Sequence, residues 1–235
     1  MRPMIAWLRP LALALSLVAL LMLALSGPGV RFDLWSYRTG ITVFRWTAYA
    51  AIAAALVSAL ALAIPRVRAH GVLLPMMALV ISLAVLYVPL QFLQRARAVP
   101  PINDITTDTE NPPRYMTQSR AYPGADFARQ QRAAYPDIAP LLMPAPPREA
   151  FAKARAAAEA MGWEVVGADD AAGTLEAVDT TKWFGFKDDI AVRVAPFSGG
   201  GPNLIRVDIR SKSRVGRSDL GTNARRIRAY AERLK

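Results

Sequence analysis

Three long stretches without a charged side chain, all within the first 94 residues, constrain this chain more than any other feature. Pro10–Val30 runs for 21 residues, Trp46–Pro65 for 20 and Ala69–Gln94 for 26. A hydrocarbon core about 30 Å thick is crossed by roughly 20 apolar helical residues, so each stretch is long enough to span a bilayer. The pattern predicts a three-helix transmembrane region over residues 1–97, with spans at about 8–28, 42–64 and 71–93, and a polar C-terminal portion. No Asp, Glu or Lys lies within the spans. Buried ionisable groups usually mark ion or proton paths, so an anchoring or partner-binding role is expected rather than transport.

Each span has its own signals. Arg2 and Arg9 precede Leu11–Leu25, and Ala24-Leu25-Ser26 resembles a small-residue cleavage site, so the first stretch fits an uncleaved span or a signal peptide. An uncleaved span is the expectation. The second carries Arg45, Trp46 and Tyr49 near one end, an interfacial pattern. Its Ala51, Ala55, Ala59 and Ala63 recur every four residues, with Ala50, Ala54 and Ser58 beside them. Such a face suits close helix packing or a membrane-protein partner; a lipid-facing alanine-rich helix is the alternative. Pro75 and Pro89 should bend the third span near its ends.

Charge is unevenly distributed. Up to Arg97 there are nine Lys/Arg and one acid, Asp33. Residues 98–203 hold ten bases and 14 acids, and residues 204–235 hold ten bases and three acids. Much of the net +11 is arginine flanking apolar spans, where it sits among headgroups. The basic C-terminal segment lacks interleaved aromatics, so no nucleic-acid partner is expected. There is no cysteine, and His70 is the single histidine. That excludes thiol nucleophiles, disulfides, Cys/His zinc sites and a His-based triad in the polar part. No cofactor and no metal is expected. Arginines divide four against five across the spans, which sets no orientation by itself. The α-amine beside Arg2 and Arg9 favours an N-terminus inside, and cleavage of the first segment would leave the same end outside. The C-terminal domain is therefore expected outside the cytoplasm, which is the periplasm for an inner-membrane protein of a Gram-negative bacterium.

Residues 98–147 contain ten of the 18 prolines and predict a Pro-rich strap without regular structure. Ile102–Asp108, Tyr115, Tyr122, Phe127, Tyr135, Ile138, Leu141 and Leu142 would anchor it against the domain; a disordered tether is the alternative. Residues 148–235 predict a two-layer α+β domain of order α-β-β-β-β-α with a four-stranded antiparallel sheet. Pro146-Pro147 opens a helix carrying Phe151, Ala154, Ala158 and Met161 at helical spacing, closed by Gly162. Strands follow at Trp163–Val166, Thr174–Thr180, Asp189–Val194 and Leu204–Arg210. Ile190, Val192 and Val194 alternate with Ala191 and Arg193, and Ile205, Val207 and Ile209 alternate with Arg206, Asp208 and Arg210. A period of two predicts one apolar and one wet face. Ala171-Ala172-Gly173 and Ser198–Pro202 read as turns. A last helix, from about Ser218 to Leu234, carries a stripe of Leu220, Ala224, Ile227, Ala231 and Leu234.

Several strings occur in a characteristic order: Asn103-Asp104-Ile105-Thr106-Thr107-Asp108 after a proline pair, Tyr135-Pro136-Asp137-Ile138, Gly162-Trp163-Glu164, Trp183-Phe184-Gly185-Phe186-Lys187-Asp188-Asp189, and Ser211 through Gly221. Together they resemble the bacterial domain of unknown function 1499. The three preceding spans, with Gly29-Val30-Arg31 and Leu34-Trp35, resemble its membrane-anchored subgroup. The resemblance implies a bacterial envelope protein and carries over no catalytic residue.

Among candidate sites, Lys212, Arg214 and Arg217 surround Gly216 just before a helix start, with Arg206, Arg210, Arg225 and Arg226 nearby. Free N–H groups at a helix start favour an anion, so a phosphate, lipid headgroup or carboxylate would suit them. The alternative is that they clip Asp104, Asp179, Asp188 or Asp189. Asp188-Asp189 with Asp104 and Asp108 would supply oxygens for a divalent cation, but neighbouring strand residues point to opposite faces, which favours a structural turn. Trp183, Phe184 and Phe186 form core packing or the mouth of an apolar pocket. A hydrolase would instead group Ser211 or Ser213 with Lys212 or Asp208. The expectation is a non-enzymatic binding or scaffold protein of the envelope. Its partners would be the lipid bilayer together with an anionic or lipid-like component, another membrane protein or a second copy of itself.

Overall fold

The structure is a computed structural model that describes residues 7–199, 201 and 203–235. Arg2 and, within the Ser198–Pro202 turn, residues 200 and 202 lie outside the described residues. The chain divides into two compact units, Met1–Gln94 with Lys182–Gly185, and Arg95–Thr181 with Phe186–Lys235.

The first unit is built on α1 (Leu8–Ser26), α2 (Pro28–Arg31), α3 (Tyr37–Ala63), α4 (Pro65–Arg68) and α5 (Leu73–Ala98). Leu8–Arg31, Tyr37–Ala63 and Leu73–Ala98 are each long and apolar enough to cross a membrane. Leu21, Leu56 and Val80 are more than half exposed, an arrangement that suits lipid and not water. Buried hydroxyls satisfy themselves: those of Ser16, Thr47, Ser58 and Ser82 donate to carbonyls of their own helices at 2.6–3.0 Å. Ser36 caps α3 by accepting from the Thr39 N–H at 3.2 Å. Pro75 falls in the first turn of α5, where a proline needs no donor, while Pro89 lies inside the helix.

The small-residue face of α3 differs from the expected four-residue repeat. Its buried positions are Gly40, Phe44, Thr47, Ala51, Ala54, Ser58 and Ala61, and α1 buries Ala12, Ser16, Ala19, Leu23 and Ser26. Ala59 and Ala63 are exposed. A helix turns about 100° per residue, so steps of four drift about 40° each, whereas alternating three and four holds one line.

The second unit is an antiparallel sheet with helices against one face. Its elements are β1 (Asp104–Thr106), α6 (Ala125–Ala134), β2 (Leu141–Pro144), α7 (Pro147–Ala160), β3 (Glu164–Asp169), β4 (Thr174–Thr180), β5 (Lys187–Pro196), β6 (Leu204–Ser213) and α8 (Thr222–Leu234). The sheet has six strands, not four. β3, β4, β5 and β6 form a meander, and β1 and β2 share the outer edge of β6. Both extra strands and α6 come from the segment expected to lack regular structure. Its prolines avoid residues 124–135, where Ala, Arg and Gln favour a helix. The exposed N–H and C=O groups of β6 need partners, and two strands of three and four residues supply them. The edge strand β1 is blunted in turn by Gln131 of α6. Its amide accepts from Thr106 N at 3.0 Å and donates to Thr106 O at 2.6 Å.

The apolar core lies between the sheet and α7 and α8. Ile190, Val192 and Val194 of β5 and Ile205, Val207 and Ile209 of β6 face Phe151, Ala154, Ala158, Ala224 and Ile227. Trp163 stacks on Tyr230 with centroids 5.1 Å apart, and the Tyr230 hydroxyl donates to Ala154 O at 2.8 Å. The β3–β4 turn depends on Gly173. Its φ is +64°, and a Cβ there would run into the carbonyl oxygen of Val194. Gly173→Ala is expected to lower stability by about 1–3 kcal/mol from strain and displaced backbone. Thermal unfolding of the full chain in detergent would check this.

Candidate functional site: a cleft beneath residues 110–122

Strand alternation divides the β6 cations between two faces. Arg206, Asp208, Arg210, Lys212 and Arg214 lie on the face away from the core, joined by Asp189 and Arg193 of β5, Glu176 of β4 and Asp104 of β1. This face was expected to be wet. Instead Asp104, Glu176, Asp189, Asp208 and Arg210 are buried, because ion pairs close it and chain segment 107–122 covers it. A polar period of two reports chemistry and not accessibility, so a buried charged face reads like a solvated one.

Arg210 is the floor. Its guanidinium grips Asp104 through two parallel bonds, Nε to Oδ1 at 2.9 Å and Nη2 to Oδ2 at 2.7 Å. It lies between the rings of Tyr115 and Tyr122, 5.0 and 5.6 Å from their centroids. Burial alone would lower its pKa, but the hydrogen bonds and charge of Asp104 outweigh that and leave it raised. Lys212 adds a second cation to Asp104 at 3.1 Å.

The covering segment is an arch pinned along its length. Asp108 accepts from Glu110 N and Asn111 N at 3.1 and 2.9 Å, and is paired to Arg206 and Arg193 at 2.7 and 3.0 Å. Burial pushes the Asp108 pKa up, yet the two N–H groups and two arginines leave it below the ordinary 3.8. The Tyr115 hydroxyl donates to Asp189 O at 3.2 Å. Glu176 accepts Met116 N and Thr117 N at 2.5 and 2.8 Å and the Thr117 hydroxyl at 2.6 Å. Arg120 pairs with Asp189, whose other oxygen takes Arg214 at 2.7 Å. Lys212 Nζ donates to Ala121 O at 3.3 Å.

Beneath the arch is a cleft of about 590 Å³, lined by residues 110–112, 114–122 and Arg210. Its cations are Arg114, Arg120 and Arg210. Arg114 is exposed and has no ion pair with the described residues. Burial raises the Tyr122 pKa to about 12 and that of Tyr115 further, so both walls stay neutral. The Tyr122 hydroxyl is shut from solvent without a hydrogen-bond partner among the described residues. Asp104, Asp189, Asp208 and Glu176 already carry arginine, lysine or N–H donors, so none is an open ligand for a divalent cation.

The other sequence-predicted residues are dispersed. Arg226 faces the core side, where it binds Asp179 at 2.7 Å, Asp188 at 2.6 Å and the Ser211 hydroxyl at 3.0 Å. Arg225 donates to Leu220 O and to the Thr222 hydroxyl at 3.0 Å. Arg217 is exposed in the β6–α8 loop. Asp188 and Asp189 point to opposite faces, each bound by arginine. Ser211 and Ser213 lie on the core side with Asn223, away from Lys212 and Asp208. Trp183 and Phe184 belong to the first unit. There Trp183 covers Gly27, and the Phe184 ring meets Phe44 edge-on at 6.0 Å. The Phe186 backbone N–H donates to the Thr181 hydroxyl oxygen at 2.9 Å. Sequence reasoning missed Arg114, Arg120 and Glu176; Tyr115 and Tyr122 were read only as anchors.

The Asp108 pKa is lowered on folding, so its stabilisation is complete above pH 3.8 and is lost as pH falls through the lower folded value. Asp108→Asn should therefore lower stability at neutral pH and flatten its decline below about pH 4, as read by thermal unfolding across pH. Removing an unpaired hydroxyl costs little, so Tyr122→Phe should change stability by less than about 1 kcal/mol, whereas Tyr115→Phe loses a bond and should cost about 1 kcal/mol. Unfolding midpoints of the two variants measured side by side check that difference.

Comparison with known proteins places this geometry in a family. No curated protein and no solved structure matches the chain. Residues 104–234, more than half of the sequence, match the family model described as Protein of unknown function (DUF1499), which begins within β1 and ends at the last residue of α8. The chain belongs to the DUF1499 family.

Proposed function

We propose that this is a non-enzymatic, membrane-anchored binding protein of the bacterial envelope, whose extracytoplasmic domain takes an anionic component into the cleft beneath residues 110–122. The arginine-floored cleft carries this reading. Its cations outnumber its acids, with Arg114, Arg120 and Arg210 against Glu110 among the lining side chains. The arch above it is held by ion pairs and backbone bonds, so a ligand would meet a preformed site. Three membrane-length helices would keep that site near a bilayer. Glu176 spends its oxygens on three donors, and the serines of β6 sit on the other face. Neither arrangement favours a hydrolase over a binding role.

The periplasmic placement rests on the N-terminal cations and on an odd number of spans. A C-terminal alkaline phosphatase fusion should be active and a C-terminal cytoplasmic reporter silent; the reverse would contradict the placement. For binding, the purified full chain in a neutral detergent should take short-chain phosphatidylglycerol at least tenfold more tightly than short-chain phosphatidylcholine in a calorimetric titration. Equal affinity for the two lipids would contradict recognition of an anionic headgroup, and no affinity for either would contradict a lipid ligand.

A further inference from the structure

We propose that the cleft recognises the hydrophilic phosphate-ester part of its ligand through Arg114 and Arg120, with no seat for an acyl chain. This deepens the binding reading above and rests on it. The argument begins with what lines the space. Its apolar groups, Pro112, Met116, Ala121 and the tyrosine faces, are interleaved along the arch with guanidinium, amide and hydroxyl groups, among them Asn111, Gln118 and Ser119. An acyl chain needs a continuous apolar wall, and this lining has none. The two tyrosines add no negative charge, since phenols are protonated at neutral pH and burial raises both pKa values further.

The cations differ in what they have left to give. Arg210 spends one side of its guanidinium on Asp104, and its remaining Nη1 lies 3.4 Å from Pro113 O. It therefore supplies a positive floor more than an open fork. Arg120 commits Nη1 to Asp189 and is about one-fifth exposed. Arg114 is exposed at the rim and has no acid among the described residues. A planar guanidinium binds two phosphate oxygens at once, which a lone carboxylate-paired lysine such as Lys212 does less well. At about 590 Å³ the cleft is in the range that holds a small organic phosphate, and it is larger than a bare ion needs. A phosphate ester, a monoester in a soluble glycerol phosphate and a diester in a phospholipid headgroup, presents charged oxygens in both, and that shared group defines the chemistry of the site.

The test uses the full chain in neutral detergent, titrated calorimetrically with glycerol 3-phosphate and with short-chain phosphatidylglycerol. The wild type should bind one or both, and Arg114→Glu should weaken that binding at least tenfold with an unchanged unfolding midpoint. Arg217→Glu, a charge reversal outside the cleft, should leave it unchanged. Binding of glycerol 3-phosphate identifies a soluble ester as sufficient; Arg114-dependent binding of both probes admits the headgroup as well, and binding of the lipid alone would overturn the absence of an acyl seat. If phosphatidylglycerol binds and Arg217→Glu abolishes it while Arg114→Glu does not, the cleft assignment is overturned and the anion-binding reading survives. If neither probe binds, both fall.

Discussion

The fork between Arg210 and Asp104 is the constraint from which the rest of the C-terminal unit follows. An arginine on the inner positions of β6 cannot be buried alone, because an uncompensated charge costs several kcal/mol in a dry interior. Its partner comes from β1, about a hundred residues earlier in the chain. Bringing Asp104 to Arg210 brings β1 into register with β6, Asp104 opposite Lys212 and Thr106 opposite Arg210. From that pairing the chain can only continue across the charged face. Asp108 then meets Arg193 and Arg206, and Glu176 and Asp189 collect the next turns of backbone and side chain. One face of the sheet is thus closed by aliphatic and aromatic packing against α7 and α8, and the other by charge pairing against an arch.

Much of this was legible in the chain, and the limits have physical causes. Apolar length located the three membrane-length helices, because a bilayer demands a run that few other structures need. Thr174–Thr180 coincides with β4, and the alternation from Ile190 to Val194 and from Ile205 to Ile209 placed the core face correctly. Local pattern failed where structure is made by distant partners. Asp104–Thr106 is a strand only because β6 has an open edge, and Leu141–Pro144 completes the same edge. α6 was hidden by prolines on either side of it. A strap anchored by Tyr115 and Tyr122 was legible, but its ion pairing was not: Glu176, Arg120 and Asp108 look like ordinary surface charges until the fold sets them against one another. The site residues followed suit. Of the cations singled out around Gly216, only Arg210 lines the cleft. Lys212 and Arg214 border it through Ala121 O and Asp189, and Arg225 and Arg226 serve the α8 side.

A face closed by ion pairs has a functional consequence that an apolar face lacks. Here Glu176 and Asp189 hold the arch directly on the sheet, and the cleft lies within the curve of the arch with Arg210 as its lining residue from β6. Arg120 and Arg210 line the hollow already paired with Asp189 and Asp104, and Arg114 is the lining cation with no ion pair among the described residues. A preformed cleft of this kind reduces what binding a ligand would have to spend on ordering.

Hydrogen–deuterium exchange of the full chain in detergent tests most directly whether the charged face holds the arch. The amides of Met116 and Thr117, bound to Glu176, should exchange as slowly as those of β6, and Glu176→Gln should speed them while β4 and β5 stay protected. Fast exchange at Met116 and Thr117 in the unaltered protein, beside a protected sheet, would contradict the account, because the arch would then be a loose loop and the cleft beneath it would not be preformed.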